Sequence, residues 1–157
     1  MKIATAILII LIFSGCAGPQ KTAGVNDADA PMRTDVIYIN SHQDQDELFS
    51  IVGNVLQQER FNITSSDKDL GSISTEPREF DDSIQYGFIG SMIYVRLSAY
   101  ISDNEIRLQG RYRTPEFDFI DIEKYGASDS TTRSAWAVLH KVAENIADHT
   151  NGSISYE

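Results

Sequence analysis

Between residues 93 and 113 apolar and polar side chains alternate with a period of two. Ile93, Val95, Leu97, Ala99 and Ile101 interleave with Tyr94, Arg96, Ser98 and Tyr100. Beyond Ser102-Asp103-Asn104-Glu105, Ile106, Leu108 and Tyr112 interleave with Arg107, Gln109, Arg111 and Arg113. This alternation predicts two half-buried strands joined as a hairpin. A two- or four-residue turn sets a register with Ile101 opposite Ile106, Ala99 opposite Leu108, Leu97 opposite Gly110 and Val95 opposite Tyr112. These pairs make a consistent core face. The same register puts Tyr100 beside Arg107, Ser98 beside Gln109, Arg96 beside Arg111 and Tyr94 beside Arg113 on the other face.

Period-two runs recur earlier. Val36-Ile37-Tyr38-Ile39 is a short β-branched and aromatic strand, and Phe61-Asn62-Ile63-Thr64 and Gly71-Ser72-Ile73-Ser74-Thr75 flank a turn at Asp67-Lys68-Asp69. The period changes to that of a helix in two places. From about His42 to Glu59, with Ser41 as N-cap, Leu48, Val52, Val55 and Leu56 form an apolar stripe joined by Ile51. Gly53 inside that helix costs about 1 kcal/mol and marks close packing. From Ser128 to about Asp148, Ala135, Val138, Leu139, Val142 and Ile146 face inward with Trp136 at the edge of the stripe. Residues 77–91, opened by Pro77, and 114–128 read as irregular loops rich in aromatic and acidic groups.

The start of the chain is different in kind. Met1-Lys2 precedes an apolar run from Ile3 to Phe13, about half the length needed to cross a ~30 Å hydrocarbon core at ~1.5 Å per residue. A basic start, a short apolar run and small residues after it are the pattern of a secretory signal. The single cysteine follows directly, in Phe13-Ser14-Gly15-Cys16. This resembles a bacterial lipobox, in which an aliphatic residue and two small residues precede cysteine; Phe13 stands where the pattern usually has Leu. The resemblance implies cleavage before Cys16, diacylglycerol on its sulfur and an acyl group such as palmitate on its amine. Ala17, not aspartate, follows the cysteine, which implies the outer membrane with the domain facing the periplasm. Residues 1–15 are then the signal peptide. Residues 16–32 hold the lipidated Cys16 and a polar tether with an r.m.s. reach of roughly 20–24 Å. Residues 33–150 form a single domain, and 151–157 a C-terminal tail.

Composition narrows the functional classes. A 157-residue chain with 41% hydrophobic residues sustains one packed domain. Its net charge of −10 speaks against nucleic acid as a partner. One cysteine excludes a disulfide framework and a cysteine-based zinc site. His42, His140 and His149 lack metal-ligand spacing, so no metal and no cofactor is expected. Asp67-Lys68-Asp69 lacks the ligand run of a calcium loop. There is no nucleophile elbow and no phosphate-binding glycine motif.

The predicted order β-α-β-β-β-β-α gives an α+β two-layer sandwich, an antiparallel sheet with two helices on one face. In element order residues 33–150 resemble the helix-grip or TATA-box-protein-like class, including the repeated domains of the BamC lipoproteins of the outer-membrane barrel-assembly machinery.

The polar face of the hairpin is the candidate site: Tyr94, Arg96, Tyr100, Arg107, Arg111 and Arg113. It is the one locally basic stretch in an acidic protein. Arg96 opposite Arg111 is unfavourable without an anion between them, and the Tyr–Arg neighbours allow ring–guanidinium contacts of about 0.5–1 kcal/mol. Two outcomes are open. Acidic segments, Asp81-Asp82 or residues 116–123, fold over the face and neutralise it. Otherwise it binds a partner: an acidic protein segment, a lipid headgroup or a saccharide. The expected function is a non-enzymatic, lipid-anchored binding or assembly module with an envelope protein partner. Two alternatives are a carrier or sensor of a small apolar ligand held between sheet and helix, with loops 80–88 and 117–125 as its mouth, and a hydrolase using Asp81, Asp82, Asp118 and Asp121.

Overall fold

The computed structural model describes residues 33–81, 92–124 and 130–156. In chain order the elements are β1 (Val36–Asn40), α1 (Gln45–Gln58), β2 (Ile63–Asp67), β3 (Ser72–Thr75), β4 (Arg78–Asp81), β5 (Met92–Ser102), β6 (Glu105–Arg113), β7 (Ile120–Asp121), α2 (Ser130–Thr150) and β8 (Ser153–Tyr156). The signal, Cys16 and the tether lie outside the described residues, as do residues 82–91 and 125–129.

One sheet of 8 strands runs β2-β3-β5-β6-β1-β8, with β4 also pairing β5 and β7 also pairing β6. Every pairing is antiparallel. Both helices pack on one side, so the fold is the expected α+β sandwich. Its core joins Leu48, Val52, Val55 and Leu56 of α1 to Leu139, Val142 and Ile146 of α2 across Ile37, Ile39, Val95, Leu97, Ile106 and Leu108 of the sheet. The β5–β6 hairpin has the expected register, from Ser102 opposite Glu105 to Tyr94 opposite Arg113.

Three elements differ from the expectation. Residues 153–156, expected in a tail outside the domain, form β8 and pair with β1 from Ile37↔Tyr156 to Asn40↔Ser153. The strand is retained by α2: His140 Nε2 meets the Tyr156 hydroxyl at 2.7 Å, and the two rings stack beside Trp136. Trp136 is itself buried, not at the margin of the stripe. Second, residues 78–81 and 120–121 are strands within stretches expected to be irregular. Pro77 interrupts the edge along β5, since it has no N–H to donate. Thr75 Oγ1 bridges that break by accepting the Leu97 N–H at 2.9 Å. Third, α1 is capped by Asp44, whose Oδ1 accepts the Glu47 N–H at 2.9 Å. Ser41, expected in that role, is buried and donates to the Thr150 carbonyl at 3.1 Å at the end of α2.

The helix ends explain why their limits are hard to read. At the end of α1, Arg60 takes φ 61° and the Phe61 N–H reaches back to the Leu56 carbonyl at 2.9 Å. Asn151 (φ 49°) and the Gly152 N–H to Ala147 bond of 2.9 Å repeat this at α2. Both are left-handed C-terminal caps, a position usually held by glycine or asparagine. Arginine gives no such warning, and the turn carries Phe61 into the core, so β2 starts only at Ile63.

Candidate functional site

The six residues singled out on the hairpin share the sheet face opposite the helices. Cross-strand pairing arranges this outer face in rows. Tyr94 faces Arg113, Arg96 faces Arg111, Ser98 faces Gln109 and Tyr100 faces Arg107. The rows continue onto neighbouring strands, with Ser72 beside Tyr100 and Ser74 beside Ser98 on one side, and Tyr38 beside Arg107 on the other. Adjacent strands lie about 4.7–4.9 Å apart, so each row presents polar groups at that spacing.

Residues 114–124 form a strap that pairs beside β6 through residues 120–121 and lays Phe119 against this face. Ile122 anchors it: the side chain is fully buried, and its N–H donates to the Gly110 carbonyl at 2.9 Å. Gly110 makes this possible, because a Cβ there would stand 2.6 Å from Ile122 Cδ1. With Ile122 inward, the period of two turns Asp121 outward, where its Oδ1 pairs with Arg111 Nε at 3.0 Å. Arg111 Nη2 also donates to the Phe119 carbonyl at 2.7 Å. The Phe119 ring is shared by two guanidinium groups, Arg96 at 4.5 Å and Arg113 at 5.3 Å, and Arg113 also lies 5.0 Å from the Tyr94 ring. The Arg96–Arg111 conflict is thus resolved within the chain, by one carboxylate and one aromatic ring.

Self-neutralisation is therefore real but local. The strap engages Arg96, Arg111 and Arg113, and it leaves Ser98, Tyr100, Arg107 and Gln109 uncovered. Between the two regions lies a depression of about 240 Å³, lined by Arg96, Arg111 and Asp121 on the strap side and by Asp35, Ser98, Tyr100 and Gln109. The side chains of Asp35, Ser98, Tyr100 and Gln109 bond to no other described residue. Tyr100 and Arg107, though paired in register, make no ring–guanidinium contact. Phe119 and Asp35 were missed by the sequence reading. The acidic run 116–123 did signal a cover, but composition could not say that two of the arginines meet an aromatic ring and only one a carboxylate.

Two of the histidines have structural partners. His149 Nδ1 bonds to the Asn145 carbonyl at 2.7 Å, and His140 holds β8. Among the described residues no cluster of His, Cys, Asp or Glu could hold a metal ion. Asp81 ends β4 opposite Met92, and Asp82 lies outside the described residues. At the segment expected to form the mouth of an apolar-ligand site, a depression of about 210 Å³ is lined by Tyr112, Thr114, Phe117, Ile120 and Thr131. A depression of about 230 Å³ lies at the helix flank, lined by Glu59, Phe61, Phe80 and Arg78. Burial holds the Arg78 pKa below its ordinary value, against the opposing pull of Glu59. Its guanidinium spans the Phe61 and Phe80 rings at 5.5 and 4.3 Å and donates to the Glu59 carbonyl. Glu59 in turn binds Lys141 at 3.2 Å and Asn145 at 2.6 Å. These contacts tie β4, α1 and α2 together, a structural role.

No family model matches the chain, and no curated protein matches its sequence. In structure it is similar to a TBP-like protein from Parabacteroides distasonis, at TM-score 0.46 and 13% identity, over 74% of this chain and 97% of that one. It is also similar to a DUF4468 family protein from Bacteroides ovatus, at TM-score 0.40 and 14% identity, over 73% of this chain and 81% of that one. Likeness at this level carries no functional argument.

Proposed function

We propose that this protein is a non-enzymatic binding module, lipid-anchored through Cys16 at the periplasmic face of the outer membrane, which holds another envelope component on its outer sheet face. The observation that carries the binding role is the groove of unpartnered polar side chains beside the strap. Asp35, Ser98, Tyr100 and Gln109 converge there from β5, β6 and the residue before β1, so their backbone positions are set before any partner arrives. Tyrosine and arginine are the residue types that concentrate binding energy at interfaces. Support for the anchor comes from Phe13-Ser14-Gly15-Cys16 and the polar stretch after it. Two or more acyl chains at about 0.8 kcal/mol per buried methylene make such an anchor effectively permanent.

The test uses the native envelope. Photo-crosslinkers at Ser98 and Gln109 are expected to give discrete adducts, and the same probes on exposed Gln57 of α1 none. Adducts equally abundant from both faces would remove the site. Cys16→Ser is expected to release the protein from the membrane fraction; retention there would remove the lipid anchor.

A further inference from the structure

The chemistry of the groove points away from the anionic partner that four clustered arginines suggest. Its lining carries two cations, Arg96 and Arg111, and two carboxylates, Asp35 and Asp121, so its formal charge is zero. Arg111 is already engaged by Asp121 at 3.0 Å and by the Phe119 carbonyl at 2.7 Å. Arg96 lies against the Phe119 ring. A phosphate or carboxylate entering the groove would meet Asp35 and Asp121 as well as the guanidinium groups. Asp121 of the strap and Asp35 before β1 together balance the two guanidinium groups.

What remains unengaged is of another kind. Ser98 offers a hydroxyl, Gln109 an amide with both donors and acceptors, Asp35 an acceptor and Tyr100 a phenol. Tyr100 is 49% exposed, a large ring side chain on the rim. An aromatic ring beside converging donors and acceptors, in a shallow site without net charge, suits a ligand with one apolar C–H face and a periphery of hydroxyl groups. That is the surface of a pyranose ring. The volume of about 240 Å³ falls below the usual ~300–1,000 Å³ of drug-sized pockets and suits a single small ring. The rows Ser74–Ser98–Gln109 and Ser72–Tyr100–Arg107 extend the same polar surface across further strands, so a chain of rings could run along the sheet. From this we infer that the groove binds an uncharged segment of a glycan chain, with Tyr100 stacking on a sugar ring and Gln109, Ser98 and Asp35 bonding its hydroxyl groups. The inference rests on the outer face being the binding face.

The test is calorimetric titration of the full chain, in a detergent without a sugar headgroup. The probes are neutral tetrasaccharides of hexose and N-acetylhexosamine units, with polyglutamate as the anionic comparison. The expected result is saturable one-site binding of a tetrasaccharide. Its affinity should change less than twofold between 50 and 500 mM salt, because no ion pair is formed. Tyr100→Ala and Gln109→Ala should each weaken it at least tenfold while the unfolding midpoint stays in place, and Gln57→Ala on the helical face should leave it unchanged. Binding of polyglutamate alone, weakening steeply with salt, would overturn the glycan assignment and leave the face as an anion-binding site. No saturable binding by any tetrasaccharide would also overturn it. Protein adducts from Ser98 and Gln109 in the envelope would then show that the face still binds, whereas their absence would remove both claims.

Discussion

The strap that walls the groove is held by two unequal forces, and replacing Ile122 or Arg111 separates them. Ile122 is fully buried, with its Cδ1 close above Gly110. Ile122→Ala removes most of that contact and leaves a cavity, for which buried Ile or Leu to Ala changes cost about 2–5 kcal/mol. A strap at one side of the sheet can sink partly into the space, so the low end applies, about 2–3 kcal/mol. Arg111→Ala removes the Asp121 ion pair and the bond to the Phe119 carbonyl, but the paired side chains are 44% and 66% exposed. An ion pair so open to water is worth about 0–1 kcal/mol. Packing therefore dominates, and charge only sets where Asp121 and Phe119 rest. Urea unfolding followed by the single buried Trp136 reads both variants. Hydrogen exchange of the residue-122 amide, bonded to the Gly110 carbonyl, reports the strap alone. That amide should lose protection in Ile122→Ala and keep most of it in Arg111→Ala. If Arg111→Ala proved as costly as Ile122→Ala, or released the amide equally, the strap would be an electrostatic latch and not a packed one.

Two glycines should respond with opposite sign. Gly71 has φ +61°, and a Cβ there would lie 2.0 Å from the Ile101 carbonyl oxygen, so Gly71→Ala combines left-handed strain of about 1–2 kcal/mol with loss of the 2.7 Å Ile101–Gly71 hydrogen bond. A loss of about 2–4 kcal/mol in urea unfolding is expected, and a change under 1 would contradict it. At Gly53 a Cβ would meet only Ile63 Cδ1 at 3.9 Å and Ile73 Cδ1 at 4.0 Å, so Gly53→Ala should gain about 0.5–1 kcal/mol of helix propensity. Any destabilisation there would restore the close packing suggested by the sequence. Ending the chain at Gly152 removes β8 and deprives buried His140 of the Tyr156 hydroxyl, and should cost at least about 2 kcal/mol. An unchanged unfolding midpoint would return residues 153–156 to the status of a tail.

Much of the fold is legible wherever the local pattern and the burial pattern coincide. The β5–β6 hairpin carries its own register, because slipping it by one residue would turn Leu97, Ala99, Ile106 and Leu108 out to water. The helices declare their inner faces in the same way, and the two layers follow from joining those faces to the sheet. Local alternation alone therefore specifies the class of fold, the six-residue polar face and the pairs within it. Tertiary structure decided the rest, for physical reasons that lie far apart in the chain. Residues 153–156 have too few side chains to signal a strand, and they become one because β1 offers an open edge and His140 a hydrogen-bond partner. Ser41 reads as a cap, but the carbonyl end of α2 claims its hydroxyl, and Asp44 takes over. Most consequential is the strap: only the space above Gly110 decides that Ile122 turns inward, and hence that Asp121 and Phe119 meet the arginines. That contact, together with Asp35 before β1, makes a neutral groove within a basic face, and no local pattern of charge contains it.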